Sequence, residues 1–166
     1  MTLREKIKID VAVNRGNGKG KIIVVAYRIA NHITHSKNPL VRFFGFPFKK
    51  LYRWFFIWIM GCEIPEETRI GTGLQVWHGQ AIVINPAAVI GNNLLIRHST
   101  TIGNKYFGSP SPVIGNNVDI GAHSILIGDI KIGDNVTIGA ASLITKSIPA
   151  NSIAYGNPLK IIPKPI

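Results

Sequence analysis

The sequence is short of cysteine, of acidic residues and of long apolar runs, and each shortage excludes something. A single cysteine, Cys62, among 166 residues rules out an internal disulfide framework and suits a reducing compartment. No stretch approaches the roughly twenty apolar residues that a membrane span requires. The strongest run, LYRWFFIWIM at 51–60, is half that length, and Arg42, Lys49, Lys50 and Arg53 interrupt any longer window. The first twenty residues lack the apolar core of a secretory signal, so the expectation is a cytoplasmic chain. Acid is scarce as well: 8 Asp and Glu stand against 19 Lys and Arg, for a net charge of +11. That excess belongs to one region. Residues 1–60 carry a balance of +10, with only Glu5 and Asp10 as acids, whereas residues 61–166 are near neutral at +1. The chain shows no nucleic-acid-binding module that would use the charge, so no nucleic-acid partner is expected. The remaining composition, 46% hydrophobic and 16% charged, is that of a globular protein.

What the sequence does contain is a period of six. Ile114, Ile120, Leu126, Ile132, Ile138 and Ile144 recur without a break, as do Ile84, Ile90, Ile96 and Ile102, and Ile64, Ile70 and Val76. The step from Val76 to Ile84 is eight, a two-residue insertion. Glycine directly follows the aliphatic at Gly71, Gly91, Gly103, Gly115, Gly121, Gly133 and Gly139. Neither a helix nor a lone strand predicts six. One short strand plus one tight corner does, and three such units close an 18-residue triangular coil whose copies stack at the inter-strand spacing of ~4.8 Å. The aliphatics then point inward. Asn92-Asn93, Asn116-Asn117 and Asp134-Asn135 supply corners that tolerate positive φ. The expected fold is a mainly β, parallel β-helix of hexapeptide repeats over residues 61–156. A loop at 104–112, marked by Gly108-Ser109-Pro110-Ser111-Pro112, is thrown out from a corner. Residues 1–60 form a basic, aromatic-rich helical region and 157–166 a tail. Lys21–His35 reads as a helix that Pro39 ends or restarts. A second helix carries Leu51, Trp54, Phe55 and Trp58, with Pro47 near its start. Its aromatics either pack against the prism or a sister subunit, or lie at an anionic membrane surface at its inner face.

At CEIPEETRIGTGLQVWHGQAIVINPAAVIG (62–91), IRHSTTIGN (96–104) and IGAHSILIGDIKIGDNVTIGAASLITKSIPANSIAYGNPLKII (120–162) the chain resembles the serine acetyltransferase family of left-handed β-helix, hexapeptide-repeat acyltransferases. Its short basic N-terminus resembles the branch encoded with capsule and exopolysaccharide genes, including colanic-acid synthesis. The resemblance implies a homotrimer with acetyl-CoA as co-substrate between adjacent prisms; no metal is expected, since the paired Gly-His and His-Gly spacing that builds a zinc site on this fold is absent. It implies that His78, in the His-Gly element, is the general base and that Glu63 supports it. It implies that Gly103 and Asn104 lie near the thioester and that Ala122 and Ala140 contact the pantetheine. Lys146 and Lys160 are candidates for the CoA phosphates.

Register offers a second view of these positions. Asn104, Ala122 and Ala140 are 18 apart, which predicts one stacked corner. His78 and His98 are 20 apart; less the two-residue insertion, they are one coil apart and adjacent. His123 reads as a turn residue, and Cys62, beside Gly61, as packing. An imidazole titrating near neutrality suits removal of a hydroxyl proton as it attacks a thioester. The resemblance also exposes departures. Serine-specific members carry Asp just before the base, where this chain has Trp77. They carry Arg-His before a proline in the loop, where it has Ser109-Pro110-Ser111-Pro112. With both charge partners of a zwitterion missing, the expected acceptor is a saccharide hydroxyl, with Trp77 and His98 as substrate contacts. Serine O-acetylation and a non-catalytic scaffold at the membrane are the alternatives.

Overall fold

A computed structural model describes residues 1–165. Three helices lead into a parallel β-solenoid: α1 (Leu3–Val13), α2 (Gly18–His35) and α3 (Pro39–Tyr52), the last extended by a π-helical segment over Arg53–Ile59. Each solenoid turn lays one short strand on each of three faces. Face 1 stacks Cys62–Glu63, Ile82–Ile84, Thr101–Gly103, Ile125–Ile127 and Leu143–Ile144. Face 2 stacks Arg69–Ile70, Val89–Ile90, Val113–Ile114 and Lys131–Ile132. Face 3 stacks Gln75–Trp77, Leu95–Arg97, Asp119–Ile120, Thr137–Ile138 and Ser152–Tyr155. The six-residue aliphatics are the interior: Ile64, Val76, Ile96, Ile102, Ile120, Leu126 and Ile144 are fully buried. Removing water from that column supplies the driving force, at about 25 cal/mol per Å² of apolar surface.

Except at Gly103, where a Cβ would have room, the glycine after the aliphatic is there for close approach. A Cβ on Gly91 would lie 2.6 Å from the Gly115 carbonyl oxygen, so adjacent coils leave no room for one. Positive φ sits instead on the second residue of each asparagine corner, at Asn93, Asn117 and Asn135. Their side chains form a ladder, Asn93 donating to Asn117 (2.8 Å), Asn117 to Asn135 (3.0 Å) and Asn135 to Asn151 (3.0 Å).

Coil length is not constant. Val76 pairs with Ile96, Ile96 with Ile120, Ile120 with Ile138 and Ile138 with Ala154, so successive coils take 20, 24, 18 and 16 residues. The coil that carries the 104–112 loop is six residues longer than the repeat. The period survives in the sequence because the insertion is itself one period long.

The helices differ from expectation in their limits. α3 starts at Pro39, with the Asn38 side chain accepting the Leu40 N–H at 2.9 Å, and runs through Pro47. Tertiary packing outweighs the lost backbone bond: Gly45 lies against Ile33, and the Tyr52 hydroxyl donates to Ile64 O at 2.6 Å. α1 has a local signal in its Thr2–Glu5 capping box. Residues 160–163, expected as tail, form a strand antiparallel to Ser152–Tyr155.

The first coil's backbone is closed by helix side chains. Asn14 donates to Leu74 O (2.8 Å), Asn17 to Val76 O (2.7 Å), Tyr27 to Thr68 O (2.7 Å) and Arg28 to Ile70 O (2.7 Å). Asp10, wholly buried, accepts the Gly73 N–H (2.7 Å) and pairs with Arg28 (2.6 Å). The core runs without a break from Ile23, Val24 and Tyr27 of α2 into the prism.

Cys62 is buried at the junction of helix and prism, and burial pushes its thiol up to about 12. At pH 8 it should resist a thiol reagent in the native chain and react fully in denaturant. Native reaction at the rate of a free thiol would contradict its burial. Because the folded-state value is raised, the stability this group contributes is complete below the unfolded thiol's pKa. It declines from about pH 9 towards 12, by about 1.4 kcal/mol per pH unit.

Candidate active site

The corner leading from face 3 to face 1 carries a column of imidazoles. His78 leaves the strand Gln75–Trp77, His98 the strand Leu95–Arg97, and His123 follows Asp119–Ile120. The rings of His78 and His98 pack edge to face at 5.3 Å between centroids, and those of His98 and His123 at 5.1 Å. The adjacency of His78 and His98 is as the register predicts. His123 joins the same column through its N–H, which donates to His98 O at 3.2 Å. Its position was hidden by the six-residue insertion between it and His98.

His78 is held in a strained turn. Its φ is 68° and that of Gly79 is 79°, a region that costs a non-glycine residue about 1 kcal/mol. A Cβ on Gly79 would lie 2.5 Å from Ile23 Cδ1, so α2 presses directly beneath the His-Gly pair. The His78 side chain is exposed, and the Trp77 ring lies 6.4 Å from it, 37% exposed. His98 is half-buried; its Nδ1 is buried and has no hydrogen-bond partner. Opposite Trp77 in register is Arg97, which pairs with Asp119. Arg97 and Asp119 thus neutralise each other. Among the described residues no group of three or more His, Cys, Asp or Glu is placed to hold a metal ion.

Glu63 lies on face 1, opposite Val83, with its side chain exposed. Ala122 and Ala140 share the histidine corner one coil apart, the Ala141 N–H donating to Ala122 O at 2.8 Å. Asn104 is not on that corner. Gly103 pairs with Ile127, not with a residue 18 further on, so Asn104 sits at the far end of face 1. There its side chain accepts from Asn85 (3.2 Å) and donates to Tyr106 O (2.8 Å). The predicted single corner of Asn104, Ala122 and Ala140 is therefore wrong: the long coil shifts the first by one edge. His78 and Asn104 are separated by the width of face 1, roughly 13 Å at ~3.3 Å per strand residue. Lys146, after Leu143–Ile144, and Lys160, in the last strand, are both exposed.

Residues 111–146 match the family described as Bacterial transferase hexapeptide (six repeats). Over 155 residues the chain is 36% identical to the WcaB protein of Escherichia coli strain K12, named for acetyl transfer in colanic acid biosynthesis; the match covers 92% of this chain and 96% of that one. Serine acetyltransferase 2 of Arabidopsis thaliana is 39% identical over 106 residues, 63% of this chain and 33% of its own. Among solved structures, the soybean serine acetyltransferase apoenzyme superposes with a TM-score of 0.76 at 30% identity, over 96% of this chain and 69% of that one.

Proposed function

This chain belongs to the hexapeptide-repeat transferases and is an acyltransferase that uses acetyl-CoA, and on that premise we propose that its acceptor is a saccharide hydroxyl and that His78 is the base. The observation that carries the reading is the exposed Trp77 ring beside His78, with Arg97, opposite Trp77 in register, already paired with Asp119. Such a surface suits the apolar face of a sugar ring. Arg97, already paired with Asp119, is not free for the carboxylate of serine, and an unpaired charge there is poorly held. The kinship with WcaB supports an acceptor of capsule or exopolysaccharide type, carried on a lipid in that reading.

The chemistry needs no covalent enzyme intermediate. The acceptor oxygen attacks the thioester carbonyl and a C–O bond forms. His78 takes the hydroxyl proton, the C–S bond breaks, and the imidazolium returns the proton to the CoA sulfur. The Gly103–Asn104 backbone would supply an oxyanion donor, a contribution of about 3–4 kcal/mol. Glu63 would orient the imidazole. His98, half-buried beside His78, would bind a sugar hydroxyl. Ala122 and Ala140 would leave the corner open to a pantetheine arm, with Lys146 and Lys160 for the phosphates.

A homotrimer with sites between subunits is favoured by one distance. Base and oxyanion donor lie at opposite ends of face 1 within a chain, so they meet only if neighbouring copies supply one each. CoA release should be measured with free serine and a panel of saccharides. Turnover with saccharides at least about tenfold above serine is expected. Turnover with serine alone would replace this reading by serine O-acetylation, which the likeness to serine acetyltransferases favours.

A further inference from the structure

We propose that the outward face of α3 and its π-helical extension is a docking surface for an anionic lipid bilayer, on which the protein lies without crossing it. This stands apart from the choice of acceptor.

The inward face of this rod is accounted for: Gly45 meets Ile33, and Tyr52 and Phe56 are buried. The opposite face is apolar too and has no partner. Leu40, Phe44, Leu51, Trp54 and Trp58 follow one another at steps of four, seven, three and four, with Phe43 three after Leu40, and so form one helical stripe. They are exposed, Phe43 at 74%, Phe44 at 75% and Trp58 at 81%. Scattered apolar side chains on a surface mean little, but a contiguous aromatic stripe marks a partner. No helix of the described residues is long and apolar enough to cross a membrane.

Charge selects among partners. Between Asp10 and Glu63 there is no acidic residue. Lys49 and Arg53 are engaged by Glu66, but Arg42 and Lys50 flank the stripe without an ion pair among the described residues, and the Lys50 ammonium lies over the Phe46 ring at 5.4 Å. That is the arrangement of a stem laid on apolar surface with its charge at the boundary. Two copies meeting through this face would bring like charges together. An anionic headgroup layer meets both halves at once: aromatics at the acyl boundary, cations among the phosphates.

The full-length chain should be mixed with phosphatidylcholine vesicles, with and without phosphatidylglycerol, at low and high salt, with no acetyl-CoA or acceptor present. Sedimentation with the anionic vesicles is expected, about tenfold weaker at high salt. Trp54→Ser combined with Trp58→Ser should weaken it at least about tenfold with an unchanged melting temperature. If that pair melts lower, Arg42→Gln with Lys50→Gln tests the charge half and should abolish the preference for phosphatidylglycerol. No sedimentation at low salt, or equal binding by both variants, would overturn the proposal. So would light scattering in which the tryptophan variant falls to a smaller oligomer, since the stripe would then be an interface between copies. None of these readouts depends on catalysis, so their failure leaves the transferase reading untouched.

Discussion

Replacing His78 by alanine lowers kcat/KM for acetyl transfer by about 10³-fold, within the range that a positioned general base contributes. The loss should fall on kcat, because the imidazole acts on a proton that moves only in the transition state. Acetyl-CoA binding, followed by equilibrium titration, should stay near wild type, since the proposed pantetheine contacts lie at Ala122 and Ala140. The geometry behind the expectation is specific: an exposed imidazole on a left-handed turn, pinned from below by Ile23. Glu63→Gln should cost less, since an orienting carboxylate acts through the base. If His78→Ala retains activity within tenfold of wild type, another group removes the proton, and His98, 5.3 Å away between ring centroids, is the first to test.

The largest expected loss of stability is at Asp10. Asp10→Ala leaves the Arg28 guanidinium, itself only 2% exposed, without its counter-charge, and leaves the Gly73 N–H without its acceptor. Stranding a buried charge in this way costs about 3–5 kcal/mol. For a chain of this size that is a drop of about 10 °C in Tm. Combining Asp10→Ala with Arg28→Met removes the stranded cation, and the double variant should recover part of the loss. Equal stability of wild type and Asp10→Ala by thermal melting would show that the pair does not tie the helices to the prism.

Much of this molecule was legible in the sequence because its core is one-dimensional. Ile96, Ile102 and Ile120 are inward for the same reason, so a period read from the chain gives the fold, and subtracting the two-residue insertion brings His78 to His98. The same logic misplaced Asn104. An insertion of six leaves the phase of the aliphatics intact while rotating everything before it by one edge, and no count along the chain distinguishes that from an ordinary turn. Gly108, where an aliphatic belongs, was the available sign. The helices were harder. Pro47 inside α3 contradicts its local preference and is overruled by Tyr52 and Gly45 contacts distant in sequence. Asp10 and Arg28 look like any surface pair until the fold buries both. His123 shows the same limit: its neighbours are set by coil length, which composition does not reveal.

The side chains that Asn14, Asn17, Tyr27 and Arg28 send to the carbonyls of the first coil have a consequence for solubility. A stack of parallel rungs is an open template, and its bare end would recruit another chain as readily as its own next turn. Here the rung that would begin a fibre is already occupied by groups that cannot propagate it, so growth along the axis is blocked at its origin.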